Sequence, residues 1–131
     1  MSNAEIIRAH YAASDRGDLQ GMLAPLAEDV RWTEAEGFPY AGTYIGPQAV
    51  AENVFARIQR DFEGFTLTVD EVIDGGDTIV GLGTYSGTHR ENGRSFAARV
   101  VHIWRLKGGE ATAFEQITDT ELVNRAVLGR D

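Results

Sequence analysis

From Gly64 onward, apolar side chains recur at every second position, and this alternation restricts the fold more than any other feature of the sequence. A two-residue period is typical of β-strands, because successive side chains of a strand point to opposite faces of the sheet. Glycine-containing turns interrupt the alternation at Gly75-Gly76, Glu91-Asn92-Gly93 and Gly108-Gly109. Such turns favour hairpins, so the pattern predicts four antiparallel strands over about residues 65–74, 77–88, 95–107 and 110–119.

The beginning of the chain has the spacing of helices instead. A first helix follows a cap at Ser2 or Asn3 and continues to Gly17. A short second helix begins at Asp18 and ends or kinks at Pro25, because proline interrupts the helical hydrogen bonds. Helices thus precede the strands in the chain.

The middle of the chain adds one strand and one further helix. Residues 30–34 alternate and predict a first short strand, whereas the glycines and the proline of residues 35–46 predict an irregular segment. Pro47 fits the first turn of a third helix, and residues 121–128 predict a short terminal helix capped by Asp119, with Thr120 as the competing cap. Helices first and an antiparallel meander last are typical of an α+β fold, here in one domain over residues 1–131.

Composition and charge restrict the partners. The chain has 131 residues, of which 43% are hydrophobic, and a net charge of -8. This charge argues against nucleic acid and against an anionic membrane surface. No stretch approaches the length of a membrane span, and the amino terminus is charged too early for a signal peptide, so we expect a cytoplasmic protein.

Two polar residues stand out on apolar strand faces. Alternation places His102 on one face with five apolar residues: Phe96, Ala98, Val100, Trp104 and Leu106. Glu34 follows Val30 and Trp32 at the same two-residue period. A carboxylate and an imidazole in such surroundings predict either a site that handles protons or a satisfied buried pair.

The opposite face of the same strand predicts a contact with a second subunit. It carries Arg99, Val101, Ile103 and Arg105, apolar at the centre and basic at the flanks. An outer sheet face exposed to water is normally more polar, so we expect a homodimer through this surface. An ordinary mixed strand is the alternative.

The sequence predicts neither a metal site nor a cofactor. His10, His89 and His102 lack the spacing of paired metal ligands, and the chain contains no cysteine. The glycines of residues 81–87 lie inside a predicted strand rather than in a phosphate-binding loop. His89 lies in a predicted hairpin, where we expect a solvated turn.

Five segments carry a resemblance to a known family: residues 11–23, 26–32, 42–50, 102–109 and 114–120. Together they resemble the nuclear-transport-factor-2-like (NTF2-like) superfamily, and most closely its SnoaL-like and ketosteroid-isomerase-related branch. The resemblance implies a cone in which three helices pack on a strongly curved antiparallel sheet, with a pocket at the wide end. The superfamily includes isomerases, cyclases, epoxide hydrolases, dehydratases and proteins without catalytic activity.

The resemblance also suggests catalytic roles. Ketosteroid isomerase uses an Asp base beside an oxyanion hole formed by a tyrosine and a protonated Asp. Aligned without gaps, its base position falls on Glu34, its protonated carboxyl on His102 and its tyrosine on His10, with Tyr11 beside it. Glu34 is therefore the candidate base, and His102 the candidate acid, oxyanion donor or orienter of Glu34.

Aromatic residues supply candidate walls of the pocket: Trp32, Tyr40, Tyr44, Phe55, Trp104 and Phe114. Phe55 and Phe114 also fit a plain core, whereas Tyr40 and Tyr44 lie in the irregular segment near the expected mouth. Gln116 shares a predicted inward face with Thr112, Phe114 and Thr118, and either binds a ligand carbonyl or satisfies His102. His10 points either into the cup or against the sheet.

These residues leave three functions open. The first is a cofactor-independent acid–base enzyme of isomerase or cyclase type that acts on a small apolar carbonyl compound. The second is a non-catalytic binding or accessory dimer. The third, epoxide hydrolysis, ranks lower because no Asp-Arg-Asp set lies on inward faces and Arg99 alternates outward.

Overall fold

Side-chain caps define where the first two helices begin. In the computed structural model, which describes residues 1–130, helix α1 spans Asn3–Asp15 and starts with a capping box in which Ser2 and Glu5 bond to each other's backbone. Helix α2 spans Leu19–Leu23, and the Asp18 carboxylate accepts a hydrogen bond from the Gly21 N–H at 3.0 Å. The second helix thus ends before Pro25, as the sequence predicts.

The third helical region contains a turn that the sequence does not predict. Helix α3 spans Pro47–Val50, a π-helical turn follows over Ala51–Phe55, and helix α4 spans Ala56–Asp61. Helix α5 spans Thr120–Val127, and its predicted cap is confirmed because Asp119 Oδ1 accepts the N–H of Leu122.

Six strands form one curved sheet. The strands are β1 Leu26–Glu34, β2 Gly42–Ile45, β3 Phe62–Gly75, β4 Thr78–His89, β5 Ser95–Lys107 and β6 Glu110–Thr118. Their order in the sheet is β2-β1-β6-β5-β4-β3. The α+β fold and the four-strand meander are confirmed. One expectation is wrong, because β1 pairs with β6 in parallel and the sheet is therefore not antiparallel throughout.

Two further differences concern the first strand and the irregular segment. Strand β1 begins at Leu26 rather than at Val30, with a shift of register between Leu26 and Arg31. The predicted irregular segment contains β2, which pairs with β1 so that Tyr44 lies opposite Trp32. Residues 35–41 remain outside the strands, and we name them the covering segment.

The inward face of β5 follows the predicted alternation. Every second side chain from Phe96 to Leu106 is buried, including His102 and Trp104. The core that they join divides into two apolar clusters. Tyr11 belongs to the cluster that contains Trp104, and Tyr85 belongs to the cluster that contains Phe96.

Two residues lie differently from their predicted positions. Thr112 is half-exposed and Ala111 is buried in its place, because the β5–β6 ladder shifts register next to Thr112. His89 is buried against Phe62 at the end of β4 instead of lying in a solvated turn. The period misses Thr112 because it assumes a uniform register. His89 instead keeps the phase of Ile79 and Tyr85, and it is buried because β4 continues to residue 89.

The outer face of β5 is open in the single chain. Val101 and Ile103 are half-buried there, Arg99 donates hydrogen bonds to Asp70 and Thr84, and Arg105 donates to Thr78. A homodimer through this face stays a prediction. Among the described residues no helix is long and apolar enough to cross a membrane.

The cap of α5 provides a test of the fold. Replacing Asp119 by Ala removes the acceptor for the Leu122 N–H and is expected to lower the free energy of unfolding by about 1 kcal/mol. Thr120→Ala is the control. Because Thr120 lies inside the helix, this variant is expected to lose less stability. Urea unfolding measures the stability of both variants. A loss in Thr120→Ala that equals or exceeds the loss in Asp119→Ala would show that Asp119 is not the cap.

Candidate functional site

His102 lies at the centre of β5, between Gly81 of β4 and Gln116 of β6. Its side chain is 6% exposed, and both ring nitrogens have partners. Nδ1 lies 3.0 Å from the Tyr11 hydroxyl, and Nε2 lies 2.7 Å from the Tyr85 hydroxyl. The imidazole is therefore held between two buried tyrosines that belong to different core clusters.

Three further donors extend this arrangement. Trp104 Nε1–H donates to the Tyr11 hydroxyl at 2.9 Å, and Gln116 Nε2–H donates to the Tyr85 hydroxyl at 3.0 Å. The backbone N–H of Ala35 donates to Gln116 Oε1 at 3.1 Å. We name the set the His102 network; it consists of Trp104, Tyr11, His102, Tyr85, Gln116 and the Ala35 amide.

Tyr85 is the member that the sequence analysis missed. The available signal was its position on β4, two and four residues after Gly83 and Gly81, on the inward face of the same strand. Glycine at 81 also has a clear role, because a methyl group there would overlap the Tyr11 hydroxyl. Gly81 thus leaves the space through which Tyr11 reaches His102.

Burial determines the charge of the two inner histidines. Desolvation lowers the pKa of His102 to about 3, with a smaller effect from His10, so the imidazole is neutral at neutral pH. Desolvation also lowers the pKa of His10 to about 4, although its Nδ1–H donates to the carbonyl of Met22 at 2.9 Å. Neither ring carries a transferable imidazolium proton at neutral pH.

Glu34 differs from His102 because its carboxyl is only partly satisfied. It ends β1 and is 3% exposed. Oε1 accepts a hydrogen bond from Trp32 Nε1–H at 3.3 Å, and Oε2 has no partner among residues 1–130. Desolvation raises the pKa of Glu34 to about 8, against the smaller opposing effect of the Trp32 bond. The carboxyl is therefore mainly protonated at neutral pH.

Glu34 and His102 do not form a hydrogen-bonded pair in this structure. Both His102 nitrogens bond to tyrosines, and the one partner of the Glu34 carboxyl within residues 1–130 is Trp32. The two groups are connected through the backbone instead, because Ala35 follows Glu34 and donates to Gln116 of the His102 network.

The aromatic candidates separate into two groups. Phe114 stacks on Trp32 with ring centroids 3.7 Å apart and contacts His102 at 4.8 Å. Phe55 packs edge-on against Trp32, and Trp104 contacts Phe114 at 4.7 Å. These rings surround the polar groups, so the structure brings most of the predicted wall residues together.

Tyr40 and Tyr44 have other contacts. The Tyr40 hydroxyl donates to Asp61 Oδ2 at 2.6 Å, and the Tyr44 hydroxyl donates to the Tyr40 carbonyl at 2.7 Å. These two hydrogen bonds hold the covering segment in place, and neither involves Glu34. His10 packs against Trp104 at 4.7 Å, so it points to the inner face of the sheet.

The covering segment closes the end of the cone next to Glu34. Asn124 of α5 donates to the Gly37 carbonyl at 2.6 Å, and the buried Phe38 packs against Tyr85. Two surface depressions of about 250 and 190 Å³ lie elsewhere, beside α5 and on the outer sheet face, and neither is lined by Glu34 or His102. A ligand therefore reaches Glu34 only when these side chains move.

Metal ligands are not assembled anywhere in the described part of the chain. Within residues 1–130 no group of three or more His, Asp or Glu side chains is arranged to hold a metal ion.

Gly81→Ala tests the geometry of the His102 network. The added methyl group overlaps the Tyr11 hydroxyl, and overpacking of this kind costs about 1–3 kcal/mol of unfolding free energy. Gly87→Ala is the matched control in the same strand, because its methyl group comes no closer than 3.3 Å to a neighbouring atom. Urea unfolding compares the two variants, and equal stability would show that Tyr11 is not confined against Gly81.

Glu34→Gln tests the raised pKa of the carboxyl. The folded pKa of about 8 lies above the ordinary value of 4.5, so the folded state retains a proton that the unfolded state has lost. Wild-type stability therefore loses a contribution as pH rises from about 4.5 to about 8, and the amide variant does not.

The measurement for this prediction is urea unfolding of both proteins between pH 5 and pH 9. The stability of Glu34→Gln relative to wild type is expected to increase with pH. The exposed Glu36→Gln is the control and is expected to show no such trend. A constant difference between Glu34→Gln and wild type across this range would contradict the raised pKa.

The chain is similar to several solved structures over nearly its whole length. The chain is similar to an NTF2-like protein from Burkholderia thailandensis E264, with 46% identity, a TM-score of 0.95 and coverage of 97% of this chain and 98% of that one. An NTF2-like protein of unknown function from Burkholderia pseudomallei K96243 is 38% identical, with a TM-score of 0.88 and coverage of 97% and 98%.

A third similar structure is TerC co-crystallised with polyporic acid, at 32% identity, a TM-score of 0.84 and coverage of 96% of this chain and 98% of that one. No functionally curated protein matches the chain. The family model of the SnoaL-like domain matches residues 7–114, and the chain therefore belongs to the SnoaL-like family of the NTF2-like superfamily.

Proposed function

We propose that this protein binds a small, largely apolar carbonyl compound beside Glu34 and catalyses a proton transfer on it without a cofactor. The observation that carries the proposal is the buried Glu34 carboxyl, whose Oε2 has no hydrogen-bond partner among residues 1–130. An unsatisfied buried carboxyl oxygen costs stability. Such a group is a candidate functional residue because its pKa is shifted toward the pH at which it works.

The chemistry assigned to Glu34 is that of a general base that returns its proton. With a pKa of about 8, the carboxyl exchanges protons readily near neutral pH. Its ionised form takes a proton from the carbon next to the ligand carbonyl. The electron pair of that C–H bond forms the C=C bond of an enolate, and the π pair of the carbonyl moves to its oxygen. Glu34 then returns the proton to the same or another carbon, so that no redox partner is needed.

His102 is a positioning residue in this proposal rather than the acid. Its two nitrogens are occupied by tyrosine hydroxyls, and its low pKa keeps it neutral. A neutral, fully bonded imidazole holds the two hydroxyls in place but supplies no imidazolium proton.

The surroundings support an aromatic or otherwise flat apolar ligand. Trp32, Trp104 and Phe114 lie beside Glu34 or His102 and offer ring faces and edges. TerC, at 32% identity, was co-crystallised with polyporic acid. That likeness supports the same ligand class here, and it makes polyporic acid a practical probe.

Access to Glu34 requires movement of the covering segment. Gly37 within the segment and Gly42 directly after it have φ values of 88° and 130°, a backbone region that favours glycine. The hydrogen bonds of Tyr40 to Asp61 and of Asn124 to Gly37 close the segment over the site. Closure over a bound ligand would exclude water from the carboxyl.

One observation favours a second function, a non-catalytic ligand-binding or accessory module. Each member of the His102 network has a hydrogen-bond partner within the protein, as in a stable core. Under this alternative, substitution of Glu34 changes ligand affinity or stability, and the protein has no catalytic rate that the substitution could lower.

The test is hydrogen–deuterium exchange at the α-carbon of enolisable aryl ketones, followed by NMR. Wild type is expected to accelerate exchange, and Glu34→Gln to lose about 10²–10⁴-fold of the rate. Because the base must be ionised, the rate is expected to rise with pH around a midpoint near 8. Glu36→Gln is the control and is expected to keep the wild-type rate.

Binding separates the two functions. Quenching of tryptophan fluorescence by polyporic acid reports ligand binding in every variant. Binding without any exchange by wild type would favour the non-catalytic module. Unchanged exchange in Glu34→Gln would rule out Glu34 as the base.

A further inference from the structure

The outer members of the His102 network fix the direction of its outer hydrogen bonds. Because the Ala35 N–H bonds to Gln116 Oε1, the amide nitrogen of Gln116 faces Tyr85 and donates to its hydroxyl. The indole N–H of Trp104 likewise can only donate, and it bonds to the Tyr11 hydroxyl. Each tyrosine oxygen therefore already accepts one hydrogen bond from outside the central triplet.

The central triplet of Tyr11, His102 and Tyr85 contains more polar hydrogens than there are hydrogen bonds between its members. Tyr11, neutral His102 and Tyr85 carry three polar hydrogens between them, one on each group. Only two links join them, at 3.0 Å and 2.7 Å. One hydroxyl hydrogen must therefore point out of the triplet, and it belongs either to Tyr11 or to Tyr85, depending on which nitrogen of His102 is protonated.

The surroundings of the two hydroxyls distinguish them. The Tyr11 hydroxyl is confined against Gly81, where even a methyl group does not fit, and next to the indole of Trp104. Tyr85 lies on the side of Glu34, because Gln116 bonds both to the Tyr85 hydroxyl and to the backbone N–H of Ala35, the residue after Glu34. Of the two hydroxyls, that of Tyr85 therefore lies on the side where the proposed ligand binds.

We propose that Tyr85 is a further catalytic residue, whose O–H donates to the carbonyl oxygen of the ligand while His102 is held as the Nε2–H tautomer. In this arrangement Tyr11 donates to Nδ1, and Nε2–H donates to the Tyr85 oxygen. His102 and Gln116 are positioning residues, because both fix the Tyr85 oxygen. The inference rests on the proposed proton transfer and names the donor that this reaction needs.

Tyr85 matches the requirement of the reaction. When Glu34 removes a proton from the carbon, negative charge develops on the carbonyl oxygen, and a fixed O–H donor at that point stabilises it. Burial raises the pKa of Tyr85 well above its ordinary value, so the hydroxyl keeps its hydrogen. Its place on β4 differs from the position where the isomerase pattern has a tyrosine, which falls on His10.

The experiment combines a tautomer measurement with a rate. In wild type, ¹⁵N NMR of the histidine side chains is expected to show the Nε2–H tautomer at His102. Tyr85→Phe is expected to lose about 10²–10³-fold of the α-carbon exchange rate. Tyr11→Phe removes a hydroxyl of the same network but keeps the donor, and it is expected to lose less.

The outcomes distinguish this inference from the proposed function. Full exchange in Tyr85→Phe together with its loss in Glu34→Gln would overturn the role of Tyr85 and leave the proton transfer standing. Full exchange in Glu34→Gln would overturn the proton transfer itself. An Nδ1–H tautomer at His102 in wild type would assign the outward hydrogen to Tyr11, and it would overturn the inference even if Tyr85→Phe fails to fold.

Discussion

The hydrogen bonds at the two nitrogens of His102 are the interaction on which the rest of the interior depends. A polar ring at the centre of an apolar cone costs stability unless its nitrogens have hydrogen-bond partners. Tyr11 supplies one from helix α1, and Tyr85 supplies the other from β4. Because these tyrosines belong to different core clusters, the same two bonds join the helical layer, the sheet and both halves of the core.

Desolvation shifts the pKa values of the two central titratable groups in opposite directions. It lowers the pKa of His102 to about 3 and raises that of Glu34 to about 8, so both are mainly neutral at neutral pH. The histidine is satisfied by neutral partners, whereas the carboxyl retains one oxygen without a partner. In the proposed function the proton chemistry therefore lies with Glu34, and the histidine organises the two tyrosine hydroxyls.

Much of the fold follows from local pattern. The alternation of β5, the glycine turns and the cap at Asp119 are each decided by neighbouring residues, and the structure bears them out. Two features depend on how distant strands align: β1 pairs with β6 in parallel, and Ala111 rather than Thr112 is buried. A regular period cannot reveal either of them. The burial of His89 has a different origin, because β4 continues to residue 89 in phase with Tyr85 and Phe62 of β3 lies opposite it.

The sequence by itself determined that Glu34 and His102 occupy inward positions on strands of an α+β cone, since a two-residue period is a local property of the chain. Only the tertiary structure decided what each of them meets there. Tyr11 and Tyr85 lie 91 and 17 residues away from His102 along the chain, and the Ala35 amide reaches Gln116 across 81 residues. Hydrogen bonds of this kind exist only once the sheet has curved and the helix has packed on it, because no local pattern specifies which distant side chains will meet.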